Sequence, residues 1–133
     1  MSRLLAFLMC ERATFNRSEK VTLHGLFDGL RVPRSGEPSV GDPRRVFVVF
    51  YKMETEAPCT VSLRIVKPSG EQIAGEWADS VTFWSAAPLT WQSIWTVTTD
   101  LFQEPGSYTL ELLWSNGSPA VPIGQTRLFV ERT

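Results

Sequence analysis

His24 is the only histidine in the chain, and Cys10 and Cys59 are its only cysteines. Nucleophilic or metal chemistry would have to be built around these three side chains. A cysteine nucleophile needs a base beside it and a depressed thiol pKa. A zinc site centred on His24 needs further nitrogen or sulfur ligands, and no second imidazole exists. The cysteines make no CxxC unit. A hydrogen-bonded, structural His24 on a strand beside Gly25 is therefore the expectation. A hydrolase pairing of Cys10 or Cys59 with His24 is the weaker alternative. The carboxylates, among them Asp28, Glu54, Glu71 and Glu104, are scattered near strand ends. They show neither calcium-loop spacing nor a glycosidase pair. No glycine-rich phosphate loop or nucleophile elbow is present. No catalytic residue, metal or cofactor is expected, and the chain reads as a non-enzyme.

Binding chemistry has more candidates. Five tryptophans are many for 133 residues. Trp95 and Trp114 fall inside strand patterns, where a core role is the default. Trp84 and Trp91 flank the Ser85–Thr90 loop, where they either clamp the loop onto the domain or form a platform for a sugar. Arg31, Arg34 and Arg44 gather in one connection and could meet phosphate or carboxylate groups; a solvated loop is the simpler reading.

The elements that must position these residues are strands. Apolar residues make up 43% and charged residues 20% of the chain, a globular balance that suits one domain over residues 1–133. Net charge is −1, which removes the electrostatic argument for binding nucleic acid. The apolar run Leu4–Cys10 is too short to span a bilayer and is followed by no small-x-small cleavage site, so a buried first strand in a cytoplasmic protein is expected.

Strand patterns cover Arg3–Cys10, Lys20–Phe27, Val46–Tyr51, Cys59–Val66, Gln72–Phe83, Gln92–Thr99, Thr109–Trp114 and Gln125–Glu131. Gly75 suggests a bulge in the fifth of these. Leu30–Arg44, punctuated by three prolines, reads as a long irregular return. Pro105-Gly106 followed by Tyr108 matches the corner common where strands change direction in immunoglobulin-like sandwiches. The fold expected is an all-β, immunoglobulin-like antiparallel β-sandwich of roughly eight strands with a Greek-key connection. Its core should include Leu5, Phe7, Leu23, Val48, Leu63, Ile65, Trp95, Tyr108, Leu110 and Leu112.

Four segments together carry a resemblance. They are Leu8-Met9-Cys10-Glu11, Lys20-Val21-Thr22-Leu23-His24-Gly25-Leu26-Phe27-Asp28, the strand ending at Pro68-Ser69-Gly70, and Pro105-Gly106-Ser107-Tyr108. The chain resembles an uncharacterised bacterial domain-of-unknown-function family of short standalone β-sandwich proteins. Glu11 stands where that pattern has aspartate. The resemblance implies a cytosolic sandwich, transfers no activity, and suggests that Cys10, Glu11, His24 and Asp28 share a surface.

Without a catalytic constellation, a binding or protein-interaction module is the expected function. A carbohydrate-binding sandwich using its exposed tryptophans is the alternative. Val46–Tyr51 is apolar on both faces. With Val48 inward, Phe47, Val49 and Tyr51 would need cover; the Leu30–Arg44 connection could supply it, but it has little apolar material, and a homodimer is the expectation. On that reading Val49→Glu separates the dimer without unfolding it.

Overall fold

The computed structural model describes residues 3–15, 17, 20–32, 46–55, 59–73, 75, 77–81, 89–98, 101–115, 117 and 119–132. At 3, 5, 15, 32, 46–55, 79–81, 89–92 and 98 it describes the backbone alone. Among these residues ten strands follow in order. They are β1 (Arg3–Phe15), β2 (Val21–Leu26), β3 (Gly29–Val32), β4 (Val46–Thr55), β5 (Cys59–Val66), β6 (Gln72–Ile73), β7 (Ala78–Val81), β8 (Leu89–Thr98), β9 (Gly106–Ser115) and β10 (Val121–Arg132). Four of them form sheet A in the order β2-β1-β4-β8. The rest form sheet B in the order β3-β10-β9-β5-β6, with β7 also on β5. The chain folds as an all-β sandwich of these two sheets.

Alternation explains the layering. In β5, Val61 and Ile65 are fully buried and Leu63 nearly so, while Thr60, Ser62 and Arg64 turn outward. Tyr108, Leu110 and Leu112 of β9, Leu128 and Val130 of β10, Cys59 of β5 and Ile73 of β6 add to the sheet B side of the core. Sheet A contributes Met9, Trp95 and Val97. Each fully buried aliphatic side chain stabilises the fold by roughly 1.5–3 kcal/mol.

The Pro105-Gly106 corner is built as its residues require. Gly106 has φ +131° and opens β9. The Tyr108 hydroxyl donates to the Glu104 carbonyl at 2.7 Å and accepts from the Glu104 N–H at 3.0 Å. Phe102 stands edge-on to the Tyr108 ring, with centroids 5.0 Å apart. The corner thus ties the chain entering β9 to the core.

Several expected elements differ. The first strand continues past Cys10 to Phe15 because its second half pairs with β2, from Cys10 opposite Leu26 to Phe15 opposite Val21. Residues Leu30–Val32 of the supposed irregular return belong to β3, which lies parallel to β10; the remainder, 33–44, falls outside the described residues. Gln72–Phe83 contains two short strands, β6 and β7, both paired with β5. Gly75 lies between them, where a Cβ would stand 2.3 Å from the Trp77 ring, so close packing rather than a paired bulge accounts for glycine there. Strand β8 begins at Leu89, within the supposed loop.

The faces of β4 are the reverse of those expected. Val49 pairs with Met9 and Trp95, and Phe47 with Val97, partners that are all buried in the core. Val48 pairs with Cys10 and with the exposed Thr96. Positions 47, 49 and 51 therefore lie on the core face, and position 48 on the outward face. Of the other expected core residues, Leu5 has no described side chain, and the half-buried Leu23 lies on the β1–β2 hairpin outside the core cluster.

Candidate functional site

Two stretches of β1 and β2 bring together most of the residues marked by the four-segment pattern. The antiparallel register sets Cys10 opposite Leu26 and Arg12 opposite His24. Cys10, His24 and Leu26 thereby share the outward face of sheet A. Glu11 belongs to the other face, where its side chain lies across Gly25. Gly25 has φ +68°, and a Cβ there would stand 3.0 Å from Glu11 Cγ, so glycine suits both the backbone and the contact. Asp28 lies beyond β2, exposed, in the link to β3. The marked residues are neighbours, but they divide between two faces and do not converge on one point.

Cys10 and His24 lie on the paired strands β1 and β2, Cys10 opposite Leu26 and His24 opposite Arg12. Burial pushes the Cys10 thiol pKa upward, and backbone hydrogen bonds with Arg12 and His24 only partly counter this. A nucleophilic thiol requires the opposite shift. His24 Nε2 is hydrogen-bonded to Thr14 Oγ1 at 3.0 Å. Cys59 is buried on β5, in the other sheet. Among the described residues, no three His, Cys, Asp or Glu side chains are grouped to hold a metal ion.

Phe27 and Asp28 carry the chain from sheet A to sheet B. The Phe27 N–H donates to the Met9 carbonyl at 3.3 Å, and the Phe129 N–H donates to the Asp28 carbonyl at 2.9 Å. Phe27 packs against the core, and Leu8 and Leu26 stand outside this crossing. A cleft of about 390 Å³ runs between Phe7, Leu8, Leu26, Asp28 and Thr126. A second cleft, about 430 Å³, opens at the tyrosine corner between Lys67, Glu71, Gln103 and Tyr108.

The outward face of sheet A is mixed: Arg12, Thr14, Thr22, His24 and Thr96 are polar, and Leu8, Cys10, Leu26 and Ile94 are apolar. Leu26 is 61% exposed and Leu8 39% exposed, Ile94 is half-buried, and Cys10 among them is fully buried. By register, positions 48 and 50 of β4 share this face. Leu26 alternates with Thr22 and His24 along β2, and a single leucine among polar neighbours carries no signal until the register sets it beside Cys10 and near Leu8.

The tryptophans divide by location. Trp95 is buried and Trp114 is half-buried against the core. Trp77 crosses between sheets, its indole N–H donating to the Thr96 carbonyl of β8 at 3.3 Å. Trp84 lies outside the described residues, and Trp91 is placed only as a β8 backbone position opposite Met53. Arg31 is on β3, exposed and ion-paired with Glu131 at 3.5 Å. Arg34 and Arg44 fall outside the described residues.

No described helix is long and apolar enough to cross a membrane. No curated protein and no solved structure matches this chain. A family model matches residues 5–120, a span that holds the β1–β2 register, the sheet crossing and the tyrosine corner. The chain belongs to DUF6941, a family of unknown function.

Proposed function

We propose that the protein is a non-enzymatic interaction module whose contact surface is the outward face of sheet A. The observation that carries this reading is the exposure of Leu8 and Leu26 on a face whose Cys10 is fully buried. Apolar side chains collected on one sheet face favour contact with another protein surface, whereas scattered ones do not. The upward-shifted Cys10 thiol and the Thr14-bonded His24 support the absence of hydrolase chemistry.

Strand order supports an immunoglobulin-like version of the sandwich. One sheet carries β1-β4-β8 and the other β3-β10-β9-β5, with Tyr108 bonded back to Glu104 near the start of β9. Cys10 and Cys59 are buried thiols, which supports a reducing, cytoplasmic setting.

The test is affinity capture from source cells with wild-type protein, Leu26→Glu and Leu8→Glu. Partners captured by the wild type should be lost by both variants while far-UV circular dichroism stays unchanged. Capture indifferent to both substitutions would exclude this face. A glycan panel titrated against tryptophan fluorescence checks the carbohydrate reading, which requires a saturable response.

A further inference from the structure

Strands β1 and β10 each carry a stretch of main chain that no described strand pairs with, and both stretches border one cleft. The Phe129 N–H donates to the Asp28 carbonyl, so the main chain of Phe129 is directed away from β9. Alternation directs the N–H and C=O groups of Gln125 and Arg127 the same way. Strand β3 meets β10 only from Phe129 to Arg132, so among the described residues these groups have no strand beside them. On sheet A the Met9 carbonyl accepts from the Phe27 N–H, and Phe7, two residues earlier, presents its main chain on the same side. The cleft of about 390 Å³ is lined from both strands, by Phe7 and Leu8 of β1 and Thr126 of β10, with Leu26 and Asp28. The crossing at Phe27 and Asp28 bounds it on one side. Beyond Phe7 and Thr126, Leu4 lies against Gly124, and bulges interrupt β1 between Leu4 and Ala6 and β10 between Pro122 and Gly124.

A strand edge with unsatisfied main-chain groups beside a side-chain pocket is the arrangement that takes up an extended peptide. We propose that an extended segment of a partner polypeptide adds as a strand to β10 beside Gln125 and Arg127, continuing sheet B in line with β3. This rests on the interaction reading above, because Leu8 and Leu26 wall the cleft, and it names the conformation and chemistry of the partner. The acceptor is β10 rather than β1. On β1 the Met9 carbonyl is already engaged and the bulge reaches Ala6, which leaves Phe7 alone. Side chains of an added strand alternate between two faces. Those turned inward meet Phe7, Leu8 and Leu26 and must be apolar, and Asp28 in the same wall opposes an acid there. Those turned outward stand beside Arg127, which is exposed and has no ion-pair partner among the described residues. An acid at that position completes a cross-strand pair. The partner segment is therefore free of proline where it pairs and alternates apolar with acidic residues.

Random peptides of about seven residues, displayed on phage, selected on the full chain and resynthesised, test the proposal. Selected peptides should show the apolar–acidic alternation. Backbone N-methylation should weaken their binding about tenfold at alternate central residues and little at those between, because only alternate N–H groups face β10. Gln125→Pro removes a main-chain donor from the free edge and leaves the pairing with β9, so it should weaken binding about tenfold with unchanged circular dichroism. Arg127→Glu should turn the preference from acidic to basic peptides. Should Gln125→Pro fail to fold, the N-methyl series carries the same test from the peptide side. No selected peptide, or binding indifferent to N-methylation and to Gln125→Pro, overturns strand addition. So does a light-scattering mass of twice 15.0 kDa that Gln125→Pro returns to 15.0 kDa, since the edge is then filled by a second copy. Affinity capture still lost with Leu26→Glu in either case leaves the interaction reading standing.

Discussion

Tyr108 shows how one side chain can serve both the core and a turn. Its ring is fully buried, and its hydroxyl satisfies the N–H and the carbonyl of Glu104. Tyr108→Phe keeps the ring and strands both backbone groups, which should cost about 2 kcal/mol in urea denaturation. Burial also raises the phenol pKa above its ordinary 10.0, with the hydrogen bond at Glu104 opposing. The unfolded chain ionises this phenol first. Its contribution is therefore complete below about pH 10 and is lost as pH rises further. Wild type should accordingly lose more stability than Tyr108→Phe above about pH 10, and equal losses would assign the alkaline transition to other groups. Cys10 follows the same logic in its reactivity. Buried and shifted upward, it should alkylate with iodoacetamide at neutral pH far more slowly than in urea, followed by mass spectrometry.

Among the elements, the edges of the two sheets show the most local design. Strand β8 ends sheet A, and an edge strand exposes backbone groups that invite unwanted pairing. Trp77 occupies one of them, the Thr96 carbonyl, while its own carbonyl accepts from the Leu63 N–H at 2.9 Å. This bracing requires Gly75, since a Cβ would enter the Trp77 ring. Gly75→Ala should therefore displace the indole and cost about 1–3 kcal/mol, read as a lowered thermal midpoint and a shift in tryptophan emission. The opposite edge is closed by the crossing at Phe27 and Asp28, pinned to Met9 on one sheet and to Phe129 on the other. The outward face of sheet B is tied instead by the Arg64–Glu111 ion pair between neighbouring strands β5 and β9.

For the whole molecule, the register of β4 decides which surface is available. Val49 sits opposite Met9 and Trp95, so Val49→Glu places a carboxylate on the core face and should prevent folding, seen as lost β-sheet dichroism. Val48→Glu lies opposite Cys10 on the outward face and should preserve the fold, seen as retained β-sheet dichroism. The two substitutions are adjacent in sequence and opposite in consequence, because a one-residue step in a strand changes faces.

The sequence by itself determined the strands whose two faces differ. Cys59–Val66 matches β5 residue for residue, and the burial of Tyr108, Leu110 and Leu112 follows their alternation. Local turn chemistry likewise marked the Pro105-Gly106 corner, since positive φ and a following tyrosine are both legible along the chain. Tertiary structure alone decided the inward face of Val46–Thr55, because a segment apolar on both sides carries no alternation to read. It alone extended β1 to Phe15, where pairing with β2 stabilises polar residues as strand, and set Gly29–Val32 parallel to the distant β10. The candidate surface was illegible for the same reason. Leu8 and Leu26 are far apart in the chain and become neighbours only when β1 and β2 pair, so their shared exposure is a property of register rather than of either residue.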